Sequence, residues 1–202
     1  MSDPREPPAF ATDLDEMRAH AWRQLARGVQ DRRSPFHAPT VATIGLDGRP
    51  RLRTVVLRAV DPARARLRFH TDGRADKVAE LARDDRIALH GYDPSGKLQI
   101  RVEGTAALHA DDGPADEAWR ASRMASRACY ATRPAPGGRI VAPDAFRLPE
   151  NEDEILAGRA HFRAVEMHVH TIETLWLAHA GHRRARFTLR ADGLGEAVWL
   201  VP

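Results

Sequence analysis

At 202 residues, with 43% hydrophobic and 29% charged side chains, the chain has globular rather than disordered composition and enough length to bury a core. A single cysteine, Cys129, excludes an internal disulfide and points to a reducing compartment. The pI near 9.6 accompanies a net charge of only +3, and the basic residues are arginines apart from Lys77 and Lys97, interspersed with acids as on a solvated surface rather than collected in a nucleic-acid-binding block.

The first residues, MSDPREPPAF, lack the basic-then-apolar order of a signal peptide. No later run approaches the roughly 20 apolar residues of a membrane span, so a cytoplasmic protein without membrane association is expected. Residues 1–11 read as a flexible arm and residues 12–202 as one domain. Leu14, Met17, Ala21, Leu25 and Val29 recur at helical spacing, which predicts a helix from Asp13 to about Gln30 with Asp13 as its cap.

Beyond Pro35 and Pro39 the period changes to two. Thr40–Leu46 and Arg51–Val60 read as strands around the turn Asp47-Gly48-Arg49-Pro50, and Arg66–Thr71 as a third. TDGRADKVAELARDD predicts a helix capped by Thr71 or Asp72, with Val78, Leu81 and Ala82 buried. Strands are expected at 86–92 and 97–109, a helix at 113–127, a loop or lid over 131–160, a strand over 161–177, and two more at 183–190 and 196–201. Such an order implies a mainly β fold with peripheral helices, an antiparallel barrel fully or partly closed.

The most suggestive chemistry lies at Thr71–Lys77. Arg74 and Lys77 are three residues apart at the start of the expected helix, where free backbone N–H groups and the helix dipole also favour an anion. Two cations, the Thr71 hydroxyl and those amides suit a phosphate monoester. The alternative is a surface helix in which Arg74 and Lys77 pair with Asp72 and Asp76. A second segment, Arg53-Thr54-Val55-Val56-Leu57-Arg58, places Arg53 and Arg58 on opposite faces of an ideal strand, so they converge only at a strand end or beside a bulge. In Gln99–Gly104, alternation sets Gln99, Arg101 and Glu103 on one face.

Three of these segments in order, RTVVLR (53–58), HTDGRADK (70–77) and QIRVEG (99–104), together with HRRARF (182–187), resemble the FMN-binding motifs of the pyridoxamine 5′-phosphate oxidase family. The resemblance implies an antiparallel split β-barrel, FMN as cofactor, and a homodimer with the flavin at its interface. It further implies that Arg53, Thr54, Val55 and Val56 lie along the flavin ring, with Arg58 near the reactive edge. His70 and Thr71 would contact the flavin, Arg74 and Lys77 would hold its phosphate, and Gln99 would bond the polar edge of the ring. Trp176 and Arg186 would be C-terminal contacts, although a one-residue insertion near Thr174 offsets Trp176.

The chain departs from the family pattern around the substrate. Arg58 stands in place of a lysine, Tyr130 is displaced by about one position relative to Arg133, and Gly137 or Gly138 replaces a hydroxyl. His182-Arg183-Arg184 stands in place of Arg-Leu-His, and Asp76 in place of a phosphate-binding arginine. Arg58, Tyr130, Arg133, His182 and Arg184 are therefore candidates for orienting a small substrate, with no side-chain general base evident. The resemblance implies an FMN-dependent oxidoreductase; a flavin carrier or sensor with little turnover is the alternative. His168 and His170 share a strand face without the partners a metal site needs, and no metal is expected.

Overall fold

The computed structural model describes residues 7–190 and 193–202. A 3-10 turn at Ala9–Ala11 leads into helix α1, Leu14–Gln30. Asp13 caps α1 as expected, its carboxylate accepting the Glu16 N–H at 2.9 Å. Met17, Ala21, Trp22 and Leu25 form the stripe that α1 buries. The end of the arm is not loose: Ala11 is fully buried and the Phe10 ring stacks on His20 with centroids 4.0 Å apart.

Nine strands are present among the described residues: β1 Thr40–Ile44, β2 Pro50–Thr54, β3 Leu57–Asp61, β4 Arg66–Asp72, β5 Arg86–Asp93, β6 Leu98–His109, β7 Phe162–Trp176, β8 Arg183–Arg190 and β9 Gly193–Leu200. All pairings are antiparallel, in the order β2-β1-β5-β6-β7-β4-β3, with the β8–β9 hairpin attached to β7. The split arises on β7. Its first half pairs with β4 from Phe162 to His168, and its second half pairs with β8 from Thr171 to Trp176, while its other edge follows β6. Inward-facing Leu67, Phe69, Ile100, Val102, Met167, Ile172 and Phe187 meet the stripe of α1 in one core.

The expected strand over 51–60 is two strands. The chain leaves β2 at Thr54 and enters β3 at Leu57, and these two strands stand at opposite ends of the pairing order. Val55 and Leu57 donate their N–H groups to the carbonyls of Pro39 (3.0 Å) and His37 (2.9 Å), so the crossing rests on the segment before β1 rather than on a ladder. An unbroken Val-rich run carries no mark of such a switch.

Helix α2, Asp76–Arg83, also differs from expectation. Thr71 and Asp72 belong to β4, and the cap position is Ala75, which supplies no side-chain bond. Its buried residues are Glu80 and Leu81, whereas Ala82 is exposed. The helix expected over 113–127 breaks into α3, Gly113–Ala121, and α4, Met124–Arg127, because Ser122 and Arg123 are extended. Arg127 braces the break, donating to the Trp119 carbonyl at 3.0 Å and lying over the Trp119 ring. Within the loop over 131–160, Asn151 caps a short α5, Glu152–Ala157.

Gly104 is fixed by close approach. The register steps from Glu103↔Thr171 to Gly104↔Val169, leaving His170 as the extra residue of a bulge, and a Cβ on Gly104 would sit 1.9 Å from the His168 carbonyl oxygen. Gly104→Ala is expected to destabilise the fold by about 2–3 kcal/mol, read as a lower urea midpoint. An unchanged midpoint would contradict this bulge geometry.

Candidate functional site

The crossing between β2 and β3 organises the polar residues around it. On β2, Arg53 stands opposite Val41 and turns into the end of the barrel, where Nη1 donates to Thr43 Oγ1 and Nη2 to Glu80 Oε2 at 2.7 Å. Thr43 in turn donates to the same Glu80 oxygen at 2.6 Å. Glu80 is 4% exposed, so its charge is tolerated only because the guanidinium and the hydroxyl both meet it. Thr43 and Glu80 were absent from the sequence reading. The signal for Glu80 was its place next to Leu81 and one turn beyond Lys77, the buried edge of α2.

Lys77 lies in the first turn of α2, half-buried, with Nζ donating to Thr71 Oγ1 at 2.9 Å. Burial lowers its pKa, the Arg53 charge lowers it further, and Glu80, Asp72 and Asp76 push the other way. Its ammonium has no carboxylate at salt-bridge distance among the described residues. Lys77 Nζ, the Thr71 hydroxyl it meets and the uncapped N-terminus of α2 are groups of the kind that suit a phosphate.

Arg74 behaves differently from its expected role. It precedes α2, and Asp72 grips it twice, Nε to Oδ1 at 2.9 Å and Nη2 to Oδ2 at 2.7 Å. Its remaining donors reach the carbonyls of Thr132 (3.1 Å) and Tyr130 (3.3 Å), and Asp72 raises its pKa. Arg74 thus ties the start of the 131–160 segment to β4, while Lys77 faces Thr71. The pairing of these cations with nearby acids holds for Arg74 alone.

Arg58 is separate from Arg53. The register steps from Leu57↔Phe69 to Ala59↔Arg68, so Arg58 is the extra residue of a bulge, which re-aims its side chain. It shares a cavity with His70. Burial, then Arg58, then Arg68 depress the His70 pKa to about 3. Tyr130 packs edge-on against Phe162, with centroids 5.0 Å apart, and burial pushes its phenol up to about 12 although Arg58 opposes this. Arg133 instead lines a different cavity with Arg74 and Arg147.

The remaining candidates lie on β6, β7 and β8. Gln99 on β6 and Arg186 on β8 occupy the outward face, and the Gln99 amide oxygen lies 3.4 Å from His90 Nε2. Trp176 pairs with inward-facing Leu98 and meets Phe10 edge-on at 5.8 Å, which puts it on the opposite face from Gln99. Leu175, opposite Gln99, holds the outward position there. Arg184 donates to Glu173 at 2.9 Å, and His182 Nδ1 accepts the Ala178 N–H at 3.2 Å. No hydrogen bond joins the Gln99 and Arg186 group to the Arg53 and Lys77 group among the described residues.

A family model described as "Pyridoxamine 5'-phosphate oxidase, FMN-binding domain" matches residues 19–110, the span that carries Arg53, Lys77 and Gln99. A pyridoxine/pyridoxamine 5′-phosphate oxidase of Hyphomonas neptunium is 30% identical over 188 residues, 90% of this chain and 84% of its own length. This chain belongs to the pyridoxamine 5′-phosphate oxidase-like FMN-binding family. FMN is the cofactor of the matched domain. A pyridoxine/pyridoxamine 5′-phosphate oxidase 2 of Arabidopsis thaliana is 32% identical over 126 residues, 57% of this chain and 63% of the relative. Among solved structures, a pyridoxamine 5′-phosphate oxidase-related FMN-binding protein of Nostoc punctiforme superposes with a TM-score of 0.71 at 22% identity, covering 98% of this chain and 100% of that one. That likeness establishes the split-barrel fold.

The depressed His70 pKa gives a signed prediction. Its value lies near 3 in the fold against 6.5 as reference, so the folded state binds fewer protons than the unfolded one at intermediate pH. The contribution of a neutral His70 is complete above pH 6.5 and is lost as pH falls from 6.5 towards 3, at up to about 1.4 kcal/mol per pH unit. Urea titrations between pH 6 and pH 4 should show a shallower acid loss for His70→Asn than for the native chain. Identical slopes would contradict the burial of the imidazole.

Proposed function

We propose that this chain is an FMN-dependent oxidoreductase acting on a small anionic substrate, as a homodimer whose two halves complete each flavin site. One observation carries the cofactor end of this reading: Lys77, unpaired by any acid among the described residues, meets Thr71 at the uncapped start of α2. In this reading those groups hold the FMN phosphate. Arg53, anchored on Glu80, and the backbone of Thr54–Val56 line the ring. FMN, when bound, supplies a ring that takes up a hydride equivalent from substrate. The protein holds that ring in place, shields it from water and orients the substrate through Arg58.

The dimer is supported by the separation of the two residue groups. Gln99 and Arg186 face outward, away from Lys77 and Arg53, so a second chain bringing its own Gln99 and Arg186 would complete the set. Leu52, 67% exposed beside Ala42 and Ala88, adds apolar surface for that contact. A soluble cytoplasmic protein, with residues 12–202 as one domain, accords with this reading; no helix among the described residues is long and apolar enough to cross a membrane.

A flavin carrier or sensor is the second reading, favoured by Arg133 lining another cavity than Arg58. Photoreducing the holoprotein and mixing it with air separates the two. Reoxidation within seconds supports an oxidase, and a flavin that stays reduced for minutes supports the carrier.

The phosphate assignment has its own test. Lys77→Ala should weaken FMN binding by about tenfold to a hundredfold, as loss of a charge-assisted bond does, while Arg74→Ala should change it by less than about threefold. Flavin fluorescence titration of the stripped protein measures both. Full FMN retention in Lys77→Ala would overturn the assignment.

A further inference from the structure

Asp72 and Glu80 are the buried carboxylates among the described residues. Asp72 is taken by Arg74, whereas Glu80 reaches from α2 to Arg53 on β2. One oxygen of Glu80 accepts both bonds, from Arg53 Nη2 at 2.7 Å and from Thr43 Oγ1 at 2.6 Å. Arg53 Nη1 closes the triangle by donating to the same Thr43 hydroxyl, itself 2% exposed. A guanidinium held at two nitrogens by a buried pair has little freedom to turn. The place of the Arg53 charge is therefore set by α2 and β1 as much as by the strand that carries it.

Two cations, Arg53 and Lys77, meet at this end of the barrel. Arg53 lowers the Lys77 pKa and Glu80 raises it, so the three groups share one field. The other acids nearby count for less: Asp47 is paired with Arg51 at 2.9 Å, and Asp76 is exposed. Burial keeps water from screening Glu80, which makes it the carboxylate that offsets the cations most strongly. Charge beside a flavin shifts the balance between its neutral oxidised form and its negatively charged reduced form.

We propose that Glu80 is a positioning residue for the flavin: it fixes the Arg53 guanidinium beside the ring and offsets its charge, and so sets the reduction potential of bound FMN. This rests on the reading that Arg53 lines the ring. The two effects are separable. Glutamine at position 80 keeps an amide oxygen for Arg53 and removes the charge, whereas alanine removes both.

Midpoint potentials of the FMN-loaded protein, measured against a reference dye under nitrogen, test the charge, and fluorescence titration of the stripped protein tests the positioning. Glu80→Gln should raise the potential by about 30 mV, the equivalent of a tenfold gain for reduced over oxidised FMN in a two-electron couple. It should bind oxidised FMN at least as tightly as the native chain does. Arg53→Gln should move the potential the other way, because Glu80 is then unmatched, and Glu80→Ala should weaken FMN binding at least tenfold. If Glu80→Gln fails to fold, Thr43→Val keeps both charges and removes the hydroxyl between them. Its FMN affinity should fall about threefold or more with the potential unmoved, and unchanged affinity would overturn the proposal. So would an unmoved potential in Glu80→Gln, or an equal loss of affinity in Glu80→Gln and Glu80→Ala, which marks a purely structural ion pair. Failure of the native chain to take up FMN would remove the flavin reading itself, a result distinct from an unmoved potential.

Discussion

The chain between Thr54 and Leu57 must pass from one end of the sheet's pairing order to the other, and the rest of the site depends on that passage. Strand pairing cannot stabilise it, so Val55 and Leu57 bond to the carbonyls of Pro39 and His37. The two arginines flanking the passage then enter different surroundings. Arg53 goes into the barrel end, and Arg58 is swung outward by a bulge. A flavin laid along this passage would have a buried ionic anchor on one side and a cationic cavity on the other.

The arginine-rich composition conceals three electrostatic situations that physical chemistry treats differently. Arg53 is matched by a buried carboxylate, so removing Glu80 would strand a cation in low dielectric. Arg74 is matched by Asp72 and spends its other donors on backbone carbonyls, which makes it a structural tie. Arg58 and Arg68 are unmatched, and both depress the basicity of His70. Most of the other ion pairs, such as Arg64 with Asp61 or Arg147 with Glu154, involve well-exposed arginines and contribute little to stability.

Much of the fold was legible because periodicity reports burial. Leu14 through Val29 marked α1, Asp13 marked its cap, and alternation marked β4 to β8 within one or two residues. The break inside RTVVLR was not legible, since a run of β-branched residues reads alike whether it pairs with one neighbour or crosses between two. Nor was the cap of α2: Thr71 and Asp72 are good capping residues, but tertiary pairing with Arg163 and Phe162 holds them in β4. Within the site, Lys77 and Thr71 were visible as a local motif. Glu80 and Thr43 were not visible as partners, because their contact joins positions 37 residues apart. Trp176 shows how alternation decides a strand residue's role: paired with Leu98, it faces the side opposite Gln99.

The proposed docking of the FMN phosphate at the start of α2 underlies the reading of Lys77, Thr71 and Arg53. Crystals of the flavin-loaded protein test it most directly, through the position of the phosphorus in the electron density. Phosphate oxygens are expected within hydrogen-bond distance of Lys77 Nζ and Thr71 Oγ1, with the ring along Thr54–Val56. A phosphate found instead among Arg58, Arg68 and Arg123 would contradict it.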